Sequence, residues 1–314
     1  MTRVLVTGGA GYVGCVLVPM LLERGFAVRV LDRFRHRSPG LMGCIRDVNL
    51  EIVRGDAGNG CVLREVLKDV QYVIPLAAVV GAPACDNDPD EATTTNIGAI
   101  RNLVQISSLF FESRHRIIYP NTNSGYGTSG PGEVCTEETS LRPISHYGMT
   151  KADAEKIVMY RGNSISYRFA TAFGASPRMR TDLLVNDFVL RAVRDKGLVL
   201  YEPEFRRNYI HVHDMARAFI HCIDRWHSMW GEVYNVGLPD CYTKSDLCQR
   251  IKQHVPEFEY TVAGTGQDPD KRDYEVSVDK ITKTGFRCGR ILNDGIKELV
   301  KTYQMFPGQE HTNL

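Results

Sequence analysis

Gly8, Gly11 and Gly14 follow a short apolar run, Arg3-Val4-Leu5-Val6, and open an amphipathic stretch over residues 12–23. A tight turn is one reading of such a triplet. Between a strand and a helix, however, missing side chains also let backbone N–H groups approach a pyrophosphate at the positive end of the helix. Asp32 favours the second reading, because it ends the next strand about 20 residues on, where a carboxylate can accept from both ribose hydroxyls of NAD and would repel a 2′-phosphate. Arg33 and Arg35 are alternative partners for that phosphate, so the expectation is NAD, ahead of NADP. Asp56, after the third strand, either caps the adenine amine or is a surface turn residue.

To about residue 170, β-branched runs alternate with longer amphipathic ones. Candidate strands cover 3–6, 27–31, 50–53, 72–76, 116–119 and 164–168; candidate helices cover 12–23, 90–111 and 146–160, the last ending at Gly162. The pattern predicts an α/β fold, a Rossmann-type doubly wound parallel sheet. Beyond Ala172 the alternation breaks: helices are expected at 183–195 and 214–225, a strand at 232–236, and a further helix opened by Thr243. The expected division is a dinucleotide-binding domain over 1–171 and a smaller α/β substrate-binding lobe over 172–314, with some chain returning to the first sheet. The loop 127–133, rich in glycine, is the most flexible stretch of the first half and a candidate mouth of the site.

With 38 basic and 37 acidic residues the chain has no global field to favour nucleic acid or a membrane surface. An anionic ligand must be caught locally. Nine scattered cysteines, without metal spacing and odd in number, fit a reducing compartment. No leader precedes the first strand and no apolar run approaches the ~18 residues needed to span a bilayer, so a soluble cytoplasmic protein is expected.

Tyr147 and Lys151 stand four apart on a predicted helix and so share one face. Upstream, a strand runs into Pro120-Asn121-Thr122-Asn123-Ser124-Gly125-Tyr126-Gly127, delivering hydroxyls to the carboxyl end of the sheet, where ligands bind. With the glycine loop, these residues make the chain resemble the extended short-chain dehydrogenase/reductase family, the nucleotide-sugar epimerases and dehydratases, over almost its whole length. A free phenol ionises near pH ~10, so Tyr147 can act as a base only if nearby positive charge, from Lys151 and the nicotinamide ring, favours its phenolate. Tyr147 would then take the proton of a sugar hydroxyl while hydride leaves the same carbon. The resemblance gives Thr122 the role of the family's Ser/Thr, which holds the reacting oxygen. The expected cofactor lining also takes in Tyr12, Val13, Ala57, Leu76, Ala77, Ala78 and Asn96.

In the family's 4,6-dehydratases, Asp and Glu occupy the positions of Asn123 and Ser124. An amide and an unassisted serine are poor acids and bases, so water elimination is not expected; the same absence counts against C5 epimerisation and decarboxylation. Redox chemistry at one carbon, C4, remains. Asn123 and Ser124 stay candidates for substrate contact. In the second half, arginine suits a diphosphate because its planar fork gives paired hydrogen bonds. The resemblance places Arg207 and Arg272 at the diphosphate, with Asn186 nearby. Arg178, kept as a substrate candidate, shares with Arg180 and Arg206 an equally good reading as a surface or salt-bridge residue. Asn208 and Thr171 depart from the family's usual aspartate and asparagine. His211 and His213 are read as hydrogen-bonded residues leading into a helix capped by Asp214, not as metal ligands. Cys85 and Cys135 approach the site region or are idle thiols.

Within the family the chain is most similar to GDP-heptose 4-dehydrogenases of bacterial capsule pathways, through residues 120–127, 141–145, 176–188, 205–212 and 268–274. A 4-dehydrogenase would release the 4-keto sugar and leave NADH; a 4-epimerase would return the hydride to the other face. A non-catalytic NADH-binding module is the third alternative, and Thr122, Tyr147 and Lys151 argue against it. A homodimer through the helices 90–111 and 146–160 is expected by analogy.

Overall fold

Parallel strands buried on both faces need continuous apolar runs, and the first half of the chain supplies them. A computed structural model of the protein describes residues 1–36, 39–130, 132–264 and 272–306. Pro131 of the 127–133 loop and residues 268–271 of the 268–274 match lie outside the described residues. Across the main sheet the order is Val233–Val236, Ser164–Phe169, Arg116–Thr122, Tyr72–Pro75, Arg3–Thr7, Ala27–Asp32 and Leu50–Arg54, all parallel. Six of these are the expected strands. The seventh, Val233–Val236, comes from the second half and pairs with Ser164–Phe169.

Helices cover both faces. On one, Gly14–Glu23 and Val212–Asp224 pack over Val4, Val6, Ile118, Ile165 and Phe169. On the other, Gly60–Val66, Ala99–Phe111 and His146–Arg161 enclose Leu5, Leu31, Val73, Ile117 and Tyr119. The stretch expected as one helix over 90–111 is three pieces, Pro89–Thr93, a π turn over Thr94–Gly98, and Ala99–Phe111. Asn96 sits in that turn, 2 % exposed, and its amide holds the backbone of Val79 at both N–H (2.8 Å) and C=O (3.0 Å). A π turn re-aims a side chain out of helical register, which here serves the loop after the fourth strand.

The second half forms its own three-stranded sheet, ordered Cys241–Thr243, Arg206–His211 and Thr171–Phe173. Helices Leu184–Arg194, Lys244–His254 and Leu292–Met305 pack with it around Phe173, Val189, Tyr209, Phe258 and Leu299. Thr243 opens its helix through a reciprocal capping box with Asp246. The helix expected to be capped by Asp214 begins instead at Val212, because His211 accepts the amide of His213 through Nδ1 (3.2 Å). Asp214 is taken by the amides of Gly289 and Arg290 and by Arg217. Among the described residues no helix is long and apolar enough to cross a membrane.

Candidate active site

Gly8 adopts φ +71°, and a Cβ there would lie 2.6 Å from the amide nitrogen of Ala77; one on Gly14 would lie 2.4 Å from the carbonyl oxygen of Gly9. These two glycines let the loop pack on itself and on the end of the fourth strand. A Cβ on Gly11 would meet only the Gly8 carbonyl, at 3.1 Å, so Gly11 is the open side of the cradle. Tyr12 and Val13 form the turn into Gly14–Glu23, where the amides of Cys15, Val16 and Leu17 bond the carbonyls of Gly11 and Val13 and so aim the start of the helix at the cradle.

Asp32 fixes the loop by accepting the amides of Ala10 (3.0 Å) and Phe34 (2.7 Å), one on each carboxylate oxygen. A second lone pair on each oxygen is left for ribose hydroxyls. Arg33 and Arg35 face Glu91, at 3.6 and 2.7 Å, so their charge already has a partner. Asp56 is exposed and accepts the amide of Gly58 (2.7 Å), the geometry of a turn residue. Leu76, Ala77 and Ala78 leave the fourth strand half-buried, beside half-buried Ala57. This cradle of glycine backbone, helix start and acidic residue fits a dinucleotide without a 2′-phosphate.

The fifth strand extends to Thr122, three residues past the predicted end, and so carries that hydroxyl to the carboxyl edge of the sheet. Thr122 Oγ1 donates to Ser124 Oγ (3.0 Å) and accepts the Ser124 amide (3.1 Å). The Thr122 side chain lies beside the Tyr147 hydroxyl and opposes the rise in its pKa. The tyrosine lies in the first turn of His146–Arg161, a helix capped by Ser145. A side chain on Gly148 would lie 3.1 Å from the Ser124 carbonyl oxygen, which is how closely the helix meets the loop.

Tyr147 keeps partial exposure as a residue, but burial around its hydroxyl pushes the phenol up to about 12, against the cations of Arg180 and Arg272. Lys151, 4 % exposed, is driven by burial down to about 7, and its Nζ stands 4.3 Å from the ring centre of Tyr119. The expected pairing, in which Lys151 lowers the Tyr147 pKa, is therefore not what the chain alone provides: desolvation outweighs the neighbouring charges.

Arg272 donates to Ser124 Oγ, bringing two expected substrate residues together. Arg207, 2 % exposed, lies on the strand Arg206–His211. Arg180 is not a surface residue: it is 7 % exposed, paired with Asp182, and its charge acts on Tyr147. Arg178 is likewise buried, bonded to the Met179 carbonyl, and feels Asp32 and Cys15, so it lies toward the dinucleotide cradle. The segment carrying both folds back over the glycine loop. The Tyr12 hydroxyl donates to the Gly174 carbonyl, and Ser176 Oγ donates to the Tyr12 carbonyl, each at 2.7 Å. Asn186 spends its amide on the backbone of Gly174 and Arg180, which holds this segment in place. Arg206 pairs with Asp273 and Glu275, and Asn208 bonds the backbone of Leu238 and Val276.

Both side-chain polar atoms of Asn123, 1 % exposed, are buried without a hydrogen-bond partner among the described residues, as is Thr171 Oγ1. Cys85 is buried beside Tyr147 and Lys151, its thiol pushed up to about 11 by burial. Cys135 packs with Tyr126 and Tyr274 instead. Sequence reasoning missed Gly148 at the site, although it directly follows Tyr147, and left Arg180 and Cys85 between a place at the site and a surface or idle one.

Comparison with known proteins places this geometry. UDP-glucuronic acid decarboxylase 1 of Arabidopsis thaliana is 27% identical over 320 residues, covering 96% of this chain and 70% of that protein. UDP-glucuronic acid 4-epimerase from Bacillus cereus, solved with UDP-glucuronic acid and NAD, shares the fold at a TM-score of 0.86 and 21% identity, covering 97% of this chain and 99% of that one. dTDP-glucose 4,6-dehydratase from Bacillus anthracis, solved with NAD, gives a TM-score of 0.83 at 24% identity, covering 98% and 97%. The sugars named for these proteins are glucuronic acid and glucose, not heptoses. A model of the NAD dependent epimerase/dehydratase family matches residues 4–237. The chain belongs to the NAD dependent epimerase/dehydratase family, whose cofactor is NAD.

Proposed function

We propose that the protein oxidises the C4 hydroxyl of a nucleotide-diphosphate sugar, GDP-heptose-like in class, to a 4-keto sugar. The observation that carries this reading is the convergence of Tyr147, Thr122, Ser124 and Arg272 at the end of the fifth strand. NAD, when bound, supplies the hydride acceptor and the positive nicotinamide charge. Thr122 holds the reacting oxygen by a hydrogen bond, and Tyr147 removes its proton as a general base. Arg180 and Arg272 favour the phenolate against the burial that opposes it, and Lys151, in its charged form, is assigned the same task from one helical turn away. Arg207 and Arg272 take the diphosphate, and the unpartnered amide of Asn123 takes a sugar polar group. Arg178 lies toward the cradle and serves the substrate only at its cofactor-facing side.

A second reading is supported by relatives named as UDP-glucuronate 4-epimerases, one 24% identical over 338 residues. Both readings begin with the same oxidation at C4 and part at the fate of the hydride. The exposed side chains Leu109, Phe110 and Tyr160 on the helices Ala99–Phe111 and His146–Arg161 support a homodimer through that face.

Incubating the purified protein and NAD with GDP-, UDP- and dTDP-sugars tests the assignment. A product two mass units lighter with NADH absorbance is expected; an isobaric product without NADH selects the epimerase. A Tyr147→Phe variant that turns over like the parent would remove the mechanism.

A further inference from the structure

A buried ion pair lies under the catalytic helix, and nothing in the reaction as described uses it. Glu155 follows Lys151 by one helical turn on the same face and is 5 % exposed. Its carboxylate accepts from Arg168 (2.7 Å), Ser166 Oγ (2.6 Å) and Asn121 Nδ2 (2.6 Å). Asn121 Oδ1 in turn accepts the backbone amide of Thr122 (2.8 Å). Arg168, on the adjacent strand, also reaches the Tyr126 hydroxyl (2.9 Å) and the Glu137 carbonyl (3.2 Å). Such a pair is weak evidence of a role in stability, since desolvating two charges rivals their attraction.

We propose that Glu155 is a positioning residue of the active site, setting a buried anion one helical turn from Lys151 and aiming Thr122 through Asn121. The inference rests on the reading of Tyr147 as the base. The groups facing Lys151 are Glu155 from its own helix, Cys85 from the helix Ala82–Asn87, and Tyr119 from the fifth strand, with Tyr147 one turn back along the helix. At neutral pH only Glu155 among them is charged: burial raises the Cys85 thiol and both phenols, while Arg168, Ser166 and Asn121 hold the Glu155 carboxyl below its ordinary range against its own burial. Burial drives Lys151 toward neutrality and Glu155 opposes it. Loss of that anion would discharge Lys151 and leave the Tyr147 phenolate with less support.

The test is an NMR titration of protein carrying ¹³C-labelled lysine, with Lys151 assigned through Lys151→Arg, alongside the pH profile of kcat/KM. Glu155→Gln is expected to move the Lys151 titration down by about one pH unit and the rising limb of kcat/KM up by a similar amount. That variant strands Arg168 without its partner and is prone to unfold. Glu155→Gln/Arg168→Gln removes both charges at similar volume and should show the same two shifts. A Lys151 titration unmoved in the double variant overturns the proposal, as does a moved titration with an unmoved rate profile. Tyr147→Phe separates the two readings: full turnover there removes the base, while the Lys151 titration still reports on Glu155.

Discussion

Lys151 is a residue whose reactivity works against the fold. Its folded-state pKa of about 7 lies well below the ordinary 10.5, so between these values the unfolded chain binds the proton and the folded chain does not. Stability contributed at this position therefore rises with pH from 7 to 10.5, and the penalty is fully present below 7. Lys151→Met keeps most of the length of the side chain and deletes the charge. At pH 6 it is expected to stabilise the protein by roughly 2 kcal/mol in urea unfolding, and to abolish most turnover. Equal or lower stability than the parent would mean that the ammonium is better solvated than its burial implies. Tyr147 shows the same tension, since the surroundings that dry its hydroxyl also raise its pKa.

At the scale of elements, the glycine loop separates packing from binding. Gly14→Ala drives a methyl group into the Gly9 carbonyl and is expected to destabilise the protein by at least about 2 kcal/mol. Gly11→Ala should leave the melting temperature within a few degrees of the parent but weaken NAD binding, as read by calorimetric unfolding and fluorescence titration. The strands were legible from sequence because burial on both faces demands uninterrupted apolar runs, and the Gly8–Gly14 loop and the Tyr147–Lys151 spacing are local patterns. What escaped depends on contacts remote in sequence. The π turn at Thr94–Gly98 is held by bonds from Asn96 to Val79 and Thr150, and no periodicity encodes them. Arg178 and Arg180 face the cradle and Tyr147 only because Gly174 and Ser176 are tied to Tyr12. His211 caps its helix through a ring nitrogen, where an aspartate three residues on looked the better acceptor.

For the molecule as a whole, the two halves are joined at more than the cleft. Glu298, on the last described helix, accepts the amide of Ala175 (2.8 Å) and faces His211 Nε2 (3.2 Å), so the C-terminal helix braces the segment that crosses the glycine loop. The proposed homodimer predicts that Leu109→Asp/Tyr160→Asp, both at exposed positions, sediments as a monomer where the parent sediments as a dimer; unchanged sedimentation would assign that face elsewhere. The last strand of the large sheet, Val233–Val236, also bears on how the protein is made. A ribosome releases residues 164–169 well before 233–236, so during synthesis the growing chain exposes an open β-edge, every residue of which is buried in the finished sheet, that only later residues can close. Pausing or premature termination within the intervening stretch should therefore yield aggregating nascent chains, with no independently soluble N-terminal half.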